Sequence, residues 1–171
     1  MPPNAAESGS AQAIGLLGAA IRAGRYPWWY PDQAKQQNGR PALAIDYFVY
    51  SATFAPIALS ATEQRQVNIN GDSAFCILSA VLVESATDNT TFLAVAPLLV
   101  RLTDEGSGRN LSDNAIHASN WFGTAEQPKY WDIPKILAPN STLTIEAQNL
   151  EAVARNARFA FHGFKIFNFK A

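Results

Sequence analysis

The residues able to do chemistry in this chain are few: two histidines, one cysteine and a scatter of acids among 171 residues. His117 stands in a polar stretch that also holds Asp104, Glu105 and Asp113. An imidazole with carboxylates is the raw material of acid–base or metal chemistry, and a pair of acids flanking a glycosidic bond is what sugar hydrolysis requires. Such chemistry needs the groups to converge, and nothing in the spacing brings these together. Acids in turn-rich segments are ordinarily solvated, so a hydrolase built on Asp104, Asp113 and His117 is the weakest of three functional classes carried forward. His162 lies among phenylalanines in Arg158 to Phe169 and reads as a core or interface imidazole rather than a base. Cys76, inside the apolar run Ala74 to Glu84, reads as a small buried hydrophobe. Gly106-Ser107-Gly108 lacks the flanks of a nucleophile elbow and is turn chemistry. No phosphate-cradling loop and no HExxH pair occurs. Asn89-Thr90-Thr91 and Asn140-Ser141-Thr142 fit the short glycosylation pattern, but no export signal accompanies them. The expectation is a protein without catalytic residues, cofactor or metal.

Composition narrows the partners. Charged residues are 16% of the chain against 48% apolar ones, where about a quarter charged is usual. The net charge is -1 with no basic run, which removes the footprint of a phosphate-backbone binder. A single cysteine excludes an intramolecular disulfide framework and a cysteine zinc site. Ala11 to Ala23 is interrupted by Gly15 and Gly18 and falls short of the ~20 residues of a membrane span, and Met1 to Ser10 lacks the basic start of a secretory signal. Neither a membrane nor nucleic acid is expected as a partner.

The elements that would position these side chains fall into two parts. Residues 1–41 read as an extended N-terminal arm: a small, polar, Pro-containing start, then Ile14, Leu17 and Ile21 at the spacing of a short helix, then Tyr26-Pro27-Trp28-Trp29-Tyr30-Pro31 held extended by its prolines. Gln33 to Pro41, with an Asn-Gly turn signal, forms the boundary. Residues 42–171 read as strands. Asp46 to Thr53 is aromatic and β-branched; Glu63 to Asn70 turns Val67 and Ile69 inward; Leu98 to Thr103 turns Leu98, Val100 and Leu102 inward; Ser141 to Asn149 does the same with Leu143, Ile145 and Ala147. Ala74 to Glu84 is apolar throughout, a strand covered on both faces or a buried helix. Arg158 to Phe169 is a last strand with apolar residues in both registers. Asp104 to Asn140 reads as one long loop anchored by Trp121, Phe122, Tyr130 and Trp131. Short strands joined by turn chemistry, with no helices alternating between them, predict a mainly β protein: an antiparallel β-sandwich of jelly-roll type.

Aromatic residues beyond what the sandwich needs suggest interfaces, since large aromatics dominate protein contacts. The candidates are Ile14, Leu17, Ile21, Tyr26, Trp28, Trp29 and Tyr30 in the arm and Phe164, Phe167 and Phe169 in the last strand. Two alternatives stay open: the arm aromatics cover an open end of their own sandwich, or either they or the loop aromatics Trp121, Tyr130 and Trp131 form a platform for sugar rings.

An ordered series of phrases in residues 63–167 resembles the small virion structural proteins of tailed bacteriophages. These are Gln66 to Phe75, Val100 to Asp104, Gly106 to Ser112, Trp121-Phe122-Gly123-Thr124, Pro139 to Thr144, Asn149, and Phe161 to Phe167. The resemblance implies a β-sandwich that clamps capsid or neck subunits in many copies and catalyses nothing, and a capsid cement or decoration protein is the leading reading. Its implied partners are the major capsid protein and copies of itself as a dimer or trimer, on a virion surface after synthesis in the host cytoplasm. A neck or tail structural protein and a glycan-binding host-recognition spike are the alternatives.

Overall fold

The computed structural model describes residues 45–85 and 97–167. The arm, with Ile14, Leu17, Ile21, Tyr26, Trp28, Trp29 and Tyr30, and also Phe169, lie outside the described residues. The described part is one compact unit, Ile45–Phe167, that is mainly β.

Its strands are β1 (Ile45–Ile57), β2 (Thr62–Asn68), β3 (Ser73–Ser85), β4 (Leu98–Asp104), β5 (Arg109–Asn110), β6 (Ile116–His117), β7 (Lys129–Leu137), β8 (Thr142–Asn149) and β9 (Arg155–Phe167). One sheet has the order β1-β9-β3-β7 and the other β2-β8-β4-β5, with β6 also pairing to β4. Every pairing between these strands is antiparallel. Setting β6 aside, the first strand pairs with the last, the second with the next to last, and so inward to the adjacent pair β4–β5. That nesting is a long hairpin rolled onto itself, the jelly roll.

Alternation builds the core between the two sheets. Val67 on β2, Leu98, Val100 and Leu102 on β4, and Leu143, Ile145 and Ala147 on β8 face inward from one sheet; Phe54, Phe75, Ile77, Phe159 and Phe161 meet them from the other. Burying one such side chain contributes about 1.5–3 kcal/mol, which is why the hydrophobic register is fixed so firmly. β3 is a strand, not a helix: at the centre of its sheet, with β9 and β7 on its two sides, it is buried along nearly its whole length. It therefore reads as a continuous apolar run. Gly163 of β9 faces inward where a Cβ would sit 1.9 Å from the Cys76 carbonyl oxygen, so the central pair can close only on glycine there.

The stretch from Asp104 to Asn140 is not one loop. It carries β5, β6, a 3-10 turn at Ala118–Asn120, and the nine-residue strand β7 that holds Tyr130 and Trp131. Pro134 and the charges of KYWDIPKIL hide β7 in the sequence, but β7 is an edge strand, and its pairing with β3 breaks between Ile77↔Lys135 and Ser79↔Tyr130. A proline is tolerated in such an interruption. β1 likewise runs past the expected Thr53, through a bulge beside Pro56, to Ile57.

Candidate interaction surface

Asp104, Asp113 and His117 are each held by local partners. Asp104 is 3% exposed; its carboxylate accepts from the Ser107 hydroxyl at 2.7 Å and the Gly106 amide at 3.1 Å and pairs with the Lys135 ammonium at 3.0 Å. Burial alone would raise its pKa, but Ser107 and Lys135 together bring it below the ordinary carboxylate value. It ties the β4–β5 turn to β7 across the sandwich. Asp113 accepts from the Asn114 amide, and His117 Nδ1 lies 2.9 Å from the Ser119 hydroxyl. Among the described residues no group of three or more His, Cys, Asp or Glu side chains could hold a metal ion.

The loop aromatics serve the core. Phe122 is buried with its ring 4.9 Å from Phe159 and 5.7 Å from Phe161. Trp121 and Trp131 pack on that core with ring centroids 5.5 Å apart, and the Trp131 indole N–H donates to the Trp121 carbonyl. Gly123 then pairs with β3, exchanging backbone hydrogen bonds with Ala80 and Leu82. Of the loop residues Trp121, Tyr130 and Trp131 considered as a sugar platform, only Tyr130 is exposed, at 42%.

What the fold does assemble is an apolar outward face on the four-stranded sheet. Core residues Ala52 and Phe54 on β1 and Phe159 and Phe161 on β9 point inward, so their neighbours in the alternation point out. Two cross-strand rows result: Tyr47, Phe164, Cys76, Ile136 and Val49, His162, Ser79, Tyr130. Tyr47 is 56% exposed and Ile133, in the interrupted part of β7, 62%; Val49 and Tyr130 are also exposed. Phe164 is half-buried on this face, and Phe167 is half-buried at the end of β9. The face lies over a bulge in β3 between Ile77 and Ser79, an irregularity that re-aims side chains.

Two polar groups of this face, on β1 and β9, meet directly. The Tyr47 hydroxyl lies 2.6 Å from His162 Nδ1. Burial lowers the His162 pKa, so the ring is neutral at pH 7, and burial together with nearby Tyr130 raises that of Tyr47. With both groups neutral they share one hydrogen bond whose direction is set by the imidazole tautomer. Cys76, beneath, has its thiol pushed up to about 12 by burial and is inert. The exposed apolar residues of this face lie along its two edge strands, Tyr47 and Val49 on β1 and Tyr130 and Ile133 on β7, while Cys76 and Ser79 on the central β3 are buried. Tyr47, Val49 and Ile133 escaped the sequence reading; the signal for the first two was an edge strand carrying apolar residues in both registers, with Phe48 and Tyr50 on the other face.

A second cluster lies at the end of β3. Glu84 points inward, its side chain 1% exposed, with the Arg155 guanidinium at 3.9 Å; that guanidinium is committed to Glu151 at 2.6 Å. Burial pushes the Glu84 carboxyl up to about 7, Arg155 only partly offsetting it and Glu151 adding to it.

No protein-family profile matches this chain, and no curated protein does. Among solved structures it is similar to the infectious bursal disease virus VP2 subviral particle, with 11% sequence identity and a TM-score of 0.31 over 73% of this chain and 36% of that one. The chain thus spans about a third of the length of that protein. The sandwich assignment rests on the strand pairings above.

Proposed function

We propose that the protein is a non-enzymatic virion structural protein of the cement or decoration type, binding the major capsid protein and copies of itself to stabilise a shell. The observation that carries this reading is the outward face of the β1-β9-β3-β7 sheet, where Tyr47, Val49, Tyr130 and Ile133 are exposed on a rigid surface. Apolar area of this kind is stabilising once covered, at about 25 cal/mol per Å² removed from water less the ordering cost of binding. Repetition on a shell multiplies the effect through linked contacts. The jelly-roll topology and the resemblance to small phage virion proteins support the same reading.

The test is binding of the purified chain to capsids stripped of it, measured by co-sedimentation. Changing Tyr47 and Tyr130 together to Ser should weaken binding at least tenfold while the far-ultraviolet circular dichroism stays that of the parent. Undiminished binding by the folded double variant, or absence of the chain from purified virions probed with its antibody, would overturn the proposal.

A further inference from the structure

Among the described residues the two sheets have four edges, and three carry devices that discourage pairing with another strand. β2 displays Glu63, Gln64 and Arg65; β5 is two residues long; β7 has Lys129, Asp132 and Pro134 with broken register. Charges, shortness, proline and irregularity are the usual protections of an edge. β1 differs. From Ile45 to Phe54 its only charge is Asp46, it has no proline, and its pairing with β9 is regular over that length. Tyr47, Phe48 and Val49 are all exposed.

The side of β1 that faces away from β9 is identified by one hydrogen bond. The Arg65 side chain donates Nε–H to the Thr53 carbonyl at 3.3 Å, so Thr53 directs its backbone groups to the open side. By alternation Ile45, Tyr47, Val49 and Ser51 do the same. Arg65 caps the row at Thr53 and leaves those four residues unpaired on that side among the described residues.

We propose that this edge pairs with the same edge of a second copy of the chain, antiparallel about a two-fold axis at Phe48. In that register Ile45 faces Ser51 of the copy and Tyr47 faces Val49 of the copy. All four uncapped residues are then used once each, in eight backbone hydrogen bonds. Sliding by two residues toward the C-terminus would require the capped Thr53; sliding the other way would strand Ser51. The register sets the two Asp46 carboxylates apart, each opposite Tyr50 of the other copy. Lys165, which lies opposite the chain's own Asp46 in the β1–β9 ladder, supplies a positive charge beside this strip of the edge. It is 7% exposed, its ammonium lies 4.2 Å from the Phe48 ring centroid and 5.8 Å from that of Tyr50, and no carboxylate among the described residues lies within salt-bridge distance. Asp46 of the copy brings a second carboxylate to that strip. The two four-stranded sheets become one of eight strands with a continuous outward face. This names how copies meet, and it stands whether or not the assembled protein binds a shell.

The experiment uses the full chain. Sedimentation equilibrium should give a dimer, and hydrogen exchange should show slow amides at Tyr47, Val49 and Ser51. Val49→Pro removes an N–H that β9 does not use, so it should yield a monomer with unchanged circular dichroism. Val49→Lys, which keeps the backbone donor, should also weaken the dimer at least tenfold. Phe48→Cys places two thiols across the axis in a non-hydrogen-bonded pair, with Cα atoms ~4.5 Å apart, and should form a disulfide-linked dimer on mild oxidation. Ser51→Cys should not, its thiols lying ~20 Å apart. A wild-type chain that is monomeric, or a dimer that survives Val49→Pro and fails to crosslink through Phe48→Cys, overturns the proposal. A monomer with those three amides protected assigns the edge to the chain's own residues instead. Loss of shell binding with the dimer intact would count only against the capsid role.

Discussion

Glu84 shows how one residue couples this sandwich to pH. Its carboxylate oxygens have no hydrogen-bond donor within reach, and the guanidinium nearest to it is engaged by Glu151. A buried carboxyl without donors resists ionisation, which takes it from an ordinary 4.5 to about 7. The folded chain therefore holds this proton more tightly than the unfolded chain. Its contribution is fully present below about pH 4.5 and is lost as pH rises through about 7. His162 acts oppositely, since its lowered pKa takes stability away as pH falls below the ordinary imidazole range. Glu84→Gln isolates the first effect: urea denaturation should find the variant more stable than the parent at pH 8 by about 2 kcal/mol and nearly equal to it at pH 5. Equal differences at both pH values would show that Glu84 is ionised throughout.

At the scale of elements, the central β3–β9 pair sets the tolerance of the fold. It runs from Ser73↔Phe167 to Ser85↔Asn156 and is interrupted by one bulge, next to which Gly163 lies against the Cys76 carbonyl. A methyl group at that position has nowhere to go, because the atom it meets is backbone at the middle of a sheet. Gly163→Ala should cost about 3 kcal/mol in urea denaturation, well above a surface substitution in a strand. The edge elements behave differently. β7 accommodates Pro134 and an interrupted register because only one of its sides is paired, and the four residues from Trp131 to Pro134 leave the ladder there. That departure is what sends the Trp131 ring to Trp121 and Phe161 while Ile133 goes to the surface.

Over the whole molecule, the phenylalanines join the two sheets and the long connection into one cooperative body. Phe159 has its ring 5.3 Å from Phe54 and 4.9 Å from Phe122, so it touches an edge strand and the segment between β6 and β7 at once. Phe159→Ala should lower stability by about 4 kcal/mol, with tryptophan fluorescence and circular dichroism still reporting one transition. Separate transitions for the two probes would mean that the Trp121–Trp131 region unfolds on its own.

How much of this was legible in the chain depended on the period of the signal. The strands with one buried face, β2, β4 and β8, announced themselves because Val67, Leu98, Val100, Leu102, Leu143 and Ile145 recur every second residue, which is the period of the pleat. The sandwich class followed from those strands and the turn chemistry between them. β7 was invisible because Pro134, Asp132 and Lys135 break the pattern, and only its edge position makes such residues acceptable. The candidate surface was hidden for another reason: an outward face is assembled from strands far apart in sequence, and Tyr47 meets His162 across 115 residues because β1 pairs with β9. Local alternation is a property of neighbours along the chain, so the sequence determines it alone. Which edge lies open, which carboxyl is desolvated and which aromatics share a face are long-range facts, and only the closing of the two sheets decides them.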